Sequence, residues 1–258
     1  MVKVIINADD CGISKHVNAE IRRFMENGLV SSTTIMANMD DFNGAIQLYK
    51  DYHDSISFGI HLNLTEGTPL TRSQLLLDEG YFIEKDGTIQ FYGKGYDYRK
   101  VTKAMKADIY KELECQVQKI LDSGIKLSHF DSHQHIHFHR QILPVFCQLS
   151  KQYNIRRMRR YTNVQLSLIN KLRTELWWYY AKSVNKDLCS SDYFCGMNSF
   201  LQLYDSNSIK NKCLYEIMCH PGHGGIDYEK ENSMMEIRIK ELTEMRRINI
   251  INYNKLNG

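Results

Sequence analysis

An α/β protein with a mostly parallel sheet is the fold class that this sequence predicts. Short apolar runs typical of buried strands alternate with longer amphipathic segments typical of helices along nearly the whole chain. About seven such strands favour a sheet that closes partly or fully into a barrel, and 258 residues fit one barrel-sized domain. A doubly wound open sheet is the alternative, but no G-x-G-x-x-G or P-loop motif supports nucleotide binding.

The first part of the chain shows this alternation clearly. Strands are predicted at residues 2–7, 30–39 and 55–65, with helices at 16–28 and 42–52 between them. The later predicted elements are a helix at 101–123, a strand at 125–139, a helix at 144–153, a short strand at 155–161, a helix at 164–184, a strand or helix at 199–204, a strand at 213–220, a helix at 229–246 and a strand at 248–253.

Residues 67–100 differ in composition from the rest of the chain, with frequent glycine, aspartate and tyrosine and little periodicity. This composition predicts a lid-like insertion, either a long loop or a small hairpin beside a functional site. The aromatic residues of this segment could stack on sugar rings, or they could anchor the loop by hydrophobic packing.

Composition excludes several classes of protein. A net charge of +3 is too small to indicate a nucleic-acid partner, and the cluster of four arginines between residues 156 and 160 is typical of a solvated turn, although one of them could face a site. The seven scattered cysteines form no C-x-x-C pair and predict a reducing, cytoplasmic setting. We expect no membrane partner, because no apolar run is long enough for a signal peptide or a bilayer span.

The most unusual stretch is a run of histidines at residues 130–139, with the sequence F-D-S-H-Q-H-I-H-F-H. Side chains two apart in a strand share a face, so we expect the alternating residues to point the same way. Such a polar face cannot form an apolar core and predicts a wet cleft, a metal site or both. A histidine-rich surface run is the alternative. The alternating residues are Asp131, His133, His135, His137 and His139.

Other predicted strands also end in polar residues. Asp9 and Asp10 follow the first strand, His61 lies near the end of the third, and His220 ends the strand at 213–220. A helix cap or a structural histidine could explain each one alone. Adjacent carboxylates, however, repel each other unless a cation or a proton separates them. Because the carboxyl ends of parallel strands meet at one edge, these residues and the histidine run together predict a single site.

The predicted site combines carboxylates with imidazoles. A carboxylate and two imidazoles form a ligand set that leaves positions on a metal ion open for water and substrate. An ion held in this way can lower the pKa of bound water to roughly 7. A second aspartate could then act as general base and a distal histidine as general acid. The pattern therefore predicts metal-assisted hydrolysis.

Four motifs resemble those of the YdjC-like carbohydrate deacetylases, a family that includes chitooligosaccharide deacetylases. They are N-A-D-D-x-G-x-S at 7–14, G-x-H-x-x-L-T at 59–65, D-S-H-x-H-x-H at 131–137 and H-P-G at 220–222. The resemblance extends from residue 3 to about residue 253. It implies a single-domain, distorted TIM-like (β/α) barrel that removes N-acetyl groups from amino sugars such as chitooligosaccharides with one divalent ion, Mg²⁺ or Zn²⁺.

The resemblance also implies roles for individual residues. Asp10, His61 and His133 match the metal ligands of the family, Asp9 matches its general base, and His220 of the H-P-G motif is expected to act as the acid. Other residues are expected to lie beside the metal ion, where His135 and His137 would either hold substrate or support the metal ligands. These expected substrate-binding residues are Asp131, His135, His137 and Arg159.

Two positions depart from the family pattern. Cys11 stands where phenylalanine is usual, and a different side chain there could change the floor of the pocket, which leaves the substrate open. Gln134 replaces a histidine that is common in the run. In the predicted strand Gln134 faces away from the alternating histidines, so we expect little effect on the chemistry.

Other functions stay open at this point. A metal-dependent phosphoesterase on a similar barrel would bind two or three ions, whereas the deacetylase would bind one. A non-catalytic sugar-binding protein would have no need of the second carboxylate in the Asp9–Asp10 pair. The apolar residues of the helix at 164–184 could serve a homodimer, although burial within the monomer explains them equally well.

Overall fold

Strand β1 (Val2–Cys11) is the central strand of the sheet, and nine of its ten residues are buried. The structure is a computed structural model that describes residues 1–164 and 167–256. In it β1 pairs in parallel with β2 (Ser32–Ile35) on one side and with β8 (Leu214–Cys219) on the other. A strand covered on both faces is expected to be a continuous apolar run, as the start of this sequence is.

The parallel sheet has seven strands in the order β6–β3–β2–β1–β8–β7, with β9 paired to the start of β1. The remaining strands of this sheet are β3 (Ser57–Leu62), β6 (Phe130–Ser132), β7 (Tyr193–Gly196) and β9 (Ile248–Ile250). Single bridges from Phe130 to Met158 and from Arg157 to Cys189 extend the sheet beyond β6, and they are all that forms of the strand predicted at 155–161. The sheet curls into a half-barrel, so the expected single-domain, distorted TIM-like barrel is confirmed.

Helices connect and flank the strands of the half-barrel. In the described part of the chain they are α1 (Lys15–Glu26), α2 (Phe42–Tyr52), α3 (Gln74–Asp78), α4 (Lys103–Asp122), α5 (Leu143–Gln152), α6 (Leu168–Val184), α7 (Met197–Asp205) and α8 (Ile226–Glu244). The helix predicted at 164–184 is α6, and residues 165 and 166 of that range lie outside the described residues. None of the described helices is both long enough and apolar enough to cross a bilayer.

The insertion predicted at 67–100 contains α3 and an antiparallel hairpin of β4 (Phe82–Lys85) and β5 (Thr88–Phe91). The ring centroid of Tyr81 lies 4.6 Å from that of Tyr96. Most aromatic side chains of the segment are therefore used in hydrophobic anchoring. Its role as a lid stays a prediction. The buried aromatic residues are Tyr81, Phe82, Phe91 and Tyr98.

The histidine run is not a strand. β6 ends at Ser132, and His133–Phe138 form a 3₁₀ turn in which Gln134 and His135 have φ angles of 56° and 54°. A left-handed backbone at two consecutive residues cannot continue a strand ladder. The strand predicted at 125–139 therefore forms only at Phe130–Ser132, and the prediction of five polar side chains on one face is wrong.

Close packing beneath the end of the sheet depends on Gly59 in β3. A Cβ atom at this position would lie 2.5 Å from the imidazole of His129, closer than real Cβ contacts come. His129 is fully buried, and its ring stacks on Tyr253 with 3.7 Å between centroids. Gly59 lies two residues before His61, so the glycine of the G-x-H motif sets how closely β3 approaches the residues before β6.

Candidate active site

Asp10, His61 and His133 come together where β1, β3 and β6 end. Oδ1 of Asp10 lies 3.1 Å from Nε2 of His61 and 2.8 Å from Nδ1 of His133, and all three side chains are buried. Asp10 has a φ of 65°, and the β1–β2 register shifts between Ala8 and Cys11. Aspartate tolerates a left-handed backbone better than most residues. The structure thus brings together the three residues predicted as metal ligands.

The group of Asp10, His61 and His133, named the catalytic cluster for its predicted role, has a geometry that could hold a metal ion. Its potential ligand atoms all lie within 4.8 Å of one another. Neighbouring ligands of an octahedral ion with bonds of about 2.1 Å are about 3.0 Å apart, close to the Asp10–imidazole distances here. On its other side, Nδ1 of His61 lies 2.5 Å from Oδ1 of Asp131 and 3.2 Å from the Thr34 hydroxyl. A carboxylate in this position orients a metal-binding imidazole.

The carboxylates also draw protons to the imidazoles of the catalytic cluster. Burial lowers the pKa of His61, but Asp131 and Asp10 outweigh burial and raise it to about 10. The pKa of His133 is raised to about 9, because Asp10 and Glu66 outweigh burial in the same way. An electrostatic field that stabilises protonated imidazoles also favours a divalent cation. Protons and a metal ion would therefore compete for this cluster.

Some neighbours of the catalytic cluster were not predicted from the sequence. Oε1 of Glu66 lies 3.0 Å from Nε2 of His133, and Nε2 of His223 lies 3.1 Å from Oδ2 of Asp10. His223 shares its glycine-rich turn with His220, so a second histidine in that turn was an available signal. Glu66 belongs to no motif that we identified, and its position follows only from the path of the chain after β3.

Asp9 lies beside the catalytic cluster in a bidentate ion pair with Arg159. Nη1 and Nη2 of Arg159 each lie 2.7 Å from one of the two carboxylate oxygens of Asp9. The same guanidinium lies 2.6 Å from Oδ2 of Asp131 and 2.6 Å from Oε1 of Glu216. Burial alone would raise the pKa of Asp9, but Arg159 outweighs burial and holds that pKa below its usual value. Asp9 is therefore ionised at neutral pH.

Several of the expected substrate-binding residues are inaccessible. Asp131, His137 and Arg159 are each 0% exposed. Asp131 holds His61, His137 lies with Nε2 3.3 Å from the backbone carbonyl of Arg159, and Arg159 binds carboxylates from three strands. Because nothing of these side chains reaches solvent, the structure favours a supporting role for them, and their expected contact with substrate stays a prediction. From the protein interior, these three side chains support the residues of the site. His135 is only partly buried, and its role stays a prediction.

His220 lies next to Asp9. Its Nε2 is 3.9 Å from Oδ2 of Asp9, and its Nδ1 is 3.9 Å from Oε2 of Glu231. The rings of His223 and Tyr228 lie 5.6 Å and 5.3 Å from its ring. Burial lowers the pKa of His220, but Glu231 and the two site aspartates outweigh burial and raise it. A raised pKa favours the protonated form, which is the form a general acid needs.

The two departures from the family motifs have different surroundings. Cys11 is 0% exposed, with Sγ 3.5 Å from Oδ1 of Asn18, so it belongs to the core and does not form the floor of a pocket. Gln134 is exposed, and its Nε2 lies 3.4 Å from Nε2 of His133. Gln134 therefore does not face away from the site, as the strand prediction implied.

Two solved structures have the same fold. A protein of Enterococcus faecalis V583, named for a proposed role in cellobiose-phosphate cleavage, matches with a TM-score of 0.78 at 24% identity, covering 100% of this chain and 99% of that one. A lactam utilization protein of Thermus thermophilus matches with a TM-score of 0.53 at 12% identity, covering 97% of this chain and 99% of that one. At these identities the likeness shows the fold alone.

Sequence comparison identifies the family. The family model described as YdjC-like protein matches residues 3–248. A carbohydrate deacetylase of Clostridium beijerinckii is 31% identical over 257 residues, which cover 98% of this chain and 94% of that protein. A carbohydrate deacetylase of Geobacillus stearothermophilus is 31% identical over 240 residues, which cover 92% and 86%. The chain therefore belongs to the YdjC-like family of carbohydrate deacetylases that its four motifs predicted.

Proposed function

We propose that this protein is a metal-dependent hydrolase that removes N-acetyl groups from acetylated amino sugars such as chitooligosaccharides and releases acetate. The observation that carries the proposal is the buried cluster of Asp10, His61 and His133 beside the ionised carboxylate of Asp9. The names of the curated relatives, which are carbohydrate deacetylases, support the substrate class.

The residues of the catalytic cluster would hold the metal ion. A divalent ion, Mg²⁺ or Zn²⁺, would supply Lewis-acid chemistry for the acetamide carbonyl and the attacking water. Asp131 orients His61 through its 2.5 Å contact, so that Nε2 faces Asp10. Asp9 accepts a proton from the water as oxygen adds to the carbonyl carbon. His220 donates a proton to the amine nitrogen as the C–N bond breaks, which yields acetate and a free amino sugar.

The pairing with Arg159 affects Asp9 as a base in two ways. It keeps the carboxylate ionised throughout the neutral range, as a general base must be. It also weakens proton transfer, because the pKa of the base is held below its usual value. His220 lies 3.9 Å from the same carboxylate, close to where the proton accepted by Asp9 would be held.

The arrangement of charges supports one bound metal ion and not two. The described residues contain a second group of potential ligands, formed by Asp9, His61 and Asp131. The guanidinium of Arg159 already lies 2.7 Å from Asp9 and 2.6 Å from Asp131. A permanent cation in this position repels a second metal ion. The phosphoesterase alternative, which needs a two-metal bridge, is therefore less well supported.

The deciding experiment measures acetate release from N-acetylglucosamine, its dimer and its longer oligomers, with and without chelator. We expect acetate release that stops with chelator. Asp9→Asn should keep its metal ion and lose turnover by about 10²–10⁴-fold, because only the base is removed. Asp54→Asn, whose side chain is 99% exposed, is the matched control. Full activity of Asp9→Asn would show that another group is the base, and release unaffected by chelator would contradict metal dependence.

A further inference from the structure

A cavity of about 490 Å³ lies between α6 and the turn that follows β6. Its volume is within the range of roughly 300–1,000 Å³ that is usual for small-molecule sites. No role is assigned to it by the chemistry proposed above, which takes place at the ends of β1, β3 and β6. The lining residues that matter here are Phe138, Tyr161, Asn170, Arg173, Thr174 and Trp177.

The cavity adjoins the catalytic cluster through Gln134 and His135, which line its inner wall. Gln134 also contacts the cluster, with its Nε2 3.4 Å from Nε2 of His133. Nδ1 of His135 is buried and has no hydrogen-bond partner among the described residues. A buried polar atom without a partner is unfavourable, and a polar ligand or a water molecule would satisfy it. A substrate held at His133 could thus extend past Gln134 into the cavity.

The chemistry of the cavity wall suits a sugar ring. Asn170, Arg173, Thr174 and Trp177 lie at i, i+3, i+4 and i+7 and so share one face of α6. Trp177 is half-buried and packs against the core, which holds its large ring in place. Amide, hydroxyl and guanidinium groups near aromatic rings provide both hydrogen bonds and stacking surfaces for a hydroxylated ring.

The charge of the cavity is also informative. Arg173 carries the only formal charge among the described lining residues, and no carboxylate lines the cavity there. Arg173 forms no ion pair with any other residue that the structure describes. Deacetylation converts a neutral acetamide into an amine that is protonated at neutral pH. A ring that carries this ammonium group would be repelled by Arg173, whereas an acetylated ring would not.

We propose that the cavity is a subsite for a second sugar ring of the substrate, and that it favours a ring that is still N-acetylated over one with a free amine. Trp177 would provide the stacking surface and Arg173 the discrimination. The inference rests on the proposed function, because it assumes that the acetyl group being removed lies at the catalytic cluster.

The first test concerns the stacking surface. Trp177→Ala should raise KM for the diacetylated disaccharide of N-acetylglucosamine about tenfold and leave KM for N-acetylglucosamine itself unchanged. Trp177→Phe, which keeps a ring, should recover part of the loss, so that a general packing defect can be recognised. Tyr179→Ala, on the exposed side of the same helix, is the matched control. Calorimetric binding of the disaccharide gives a second readout that does not need turnover.

The second test concerns charge. Wild-type protein should prefer the diacetylated disaccharide over the analogue with a free amine on its second ring by about fivefold in kcat/KM. Arg173→Gln should remove most of this preference, and so should high salt. Lys171→Gln removes the same charge from the same helix at a position that does not line the cavity, and it should leave the preference intact.

The outcomes separate the two proposals. If no sugar yields acetate but Trp177→Ala still weakens disaccharide binding, the subsite stands and the proposed function falls. If wild-type protein releases acetate, yet Trp177→Ala changes neither KM nor binding, or Arg173→Gln leaves the preference for the acetylated ring unchanged, the cavity proposal is overturned.

Discussion

Asp9 and Asp10 are consecutive residues of one strand and both are buried, yet their partners differ in kind. Asp9 faces the guanidinium of Arg159 at 2.7 Å, whereas Asp10 faces imidazoles at 2.8–3.1 Å. A guanidinium does not lose its proton in proteins, but an imidazole does. The positive charge beside Asp9 is therefore permanent, while the charge beside Asp10 can be exchanged for a metal ion. The ion pair with Arg159 fixes the position of Asp9, which we propose as the base, whereas Asp10 is free to bind a metal ion.

Removing the permanent charge should have the largest effect. Arg159→Met would leave the buried carboxylates of Asp9, Asp131 and Glu216 without their cation, and we expect a loss of about 3–5 kcal/mol in the free energy of unfolding. Arg160→Met is the matched control, because Arg160 pairs with Glu175, whose side chain is 52% exposed, and should cost about 1 kcal/mol or less. Denaturant titration of both variants measures the difference. If both variants lost the same free energy of unfolding, Arg159 would not be what stabilises the buried carboxylates around Asp9.

A smaller effect is expected where the two regions meet, at Asp131, which contacts both Arg159 and His61. Asp131→Asn keeps the shape of the side chain but removes the charge that orients His61, and metal affinity should fall about 10–100-fold. Thr34→Val removes the other, neutral partner of the same His61 nitrogen and should cost less. Calorimetric titration with Mg²⁺ or Zn²⁺ compares them. An unchanged metal affinity in Asp131→Asn would show that the contact between Asp131 and His61 does not affect metal binding.

The smallest expected effect is the release of protons from the imidazoles beside Asp10 when a metal ion binds. The raised pKa values of His61, about 10, and His133, about 9, mean that both imidazoles are protonated at pH 7 in the metal-free protein. Metal binding at pH 7 should therefore release about two protons, and apparent affinity should rise with pH until about pH 10. Calorimetry in buffers of different ionisation enthalpy counts the protons. Metal binding without proton release at pH 7 would contradict the claim that the metal ion replaces protons on His61 and His133.

The residues at strand ends could be predicted because the topology of a parallel sheet fixes where strand ends meet. The meeting of Asp10, His61 and the histidine run was predicted in this way, and the structure places His61 and His133 each within hydrogen-bonding distance of Asp10. The sheet order does not need to be known for this prediction, since all carboxyl ends lie at one edge.

The histidine run was harder, because alternation alone does not show that a strand continues. Left-handed backbone at Gln134 and His135 ends the ladder, and local sequence gives little sign of it. After the turn each histidine goes to a different tertiary partner. His137 lies against the backbone of Arg159, and the ring of His139 stacks on Tyr98, with 4.5 Å between centroids. Partners contributed by distant segments cannot be read from the run itself.

Arg159 shows the same limit for a charged residue. In the sequence it is one of four neighbouring arginines and resembles them. In the structure it is fully buried, because carboxylates from β1, β6 and β8 converge on it, while Arg160 beside it pairs with a half-exposed glutamate. Which arginine turns inward depends on carboxylates from three separate strands, and composition carries no information about that choice.

The missing side chain at Gly59 has a consequence for engineering this protein. Even a single methyl group at that position would collide with the ring of His129 and push β3 outward. His61, two residues further along the same strand, would move with it relative to the carboxylate of Asp10. The glycine therefore helps to set the distance between His61 and Asp10. A substitution there would change the geometry of the predicted metal site even in a protein that still folds.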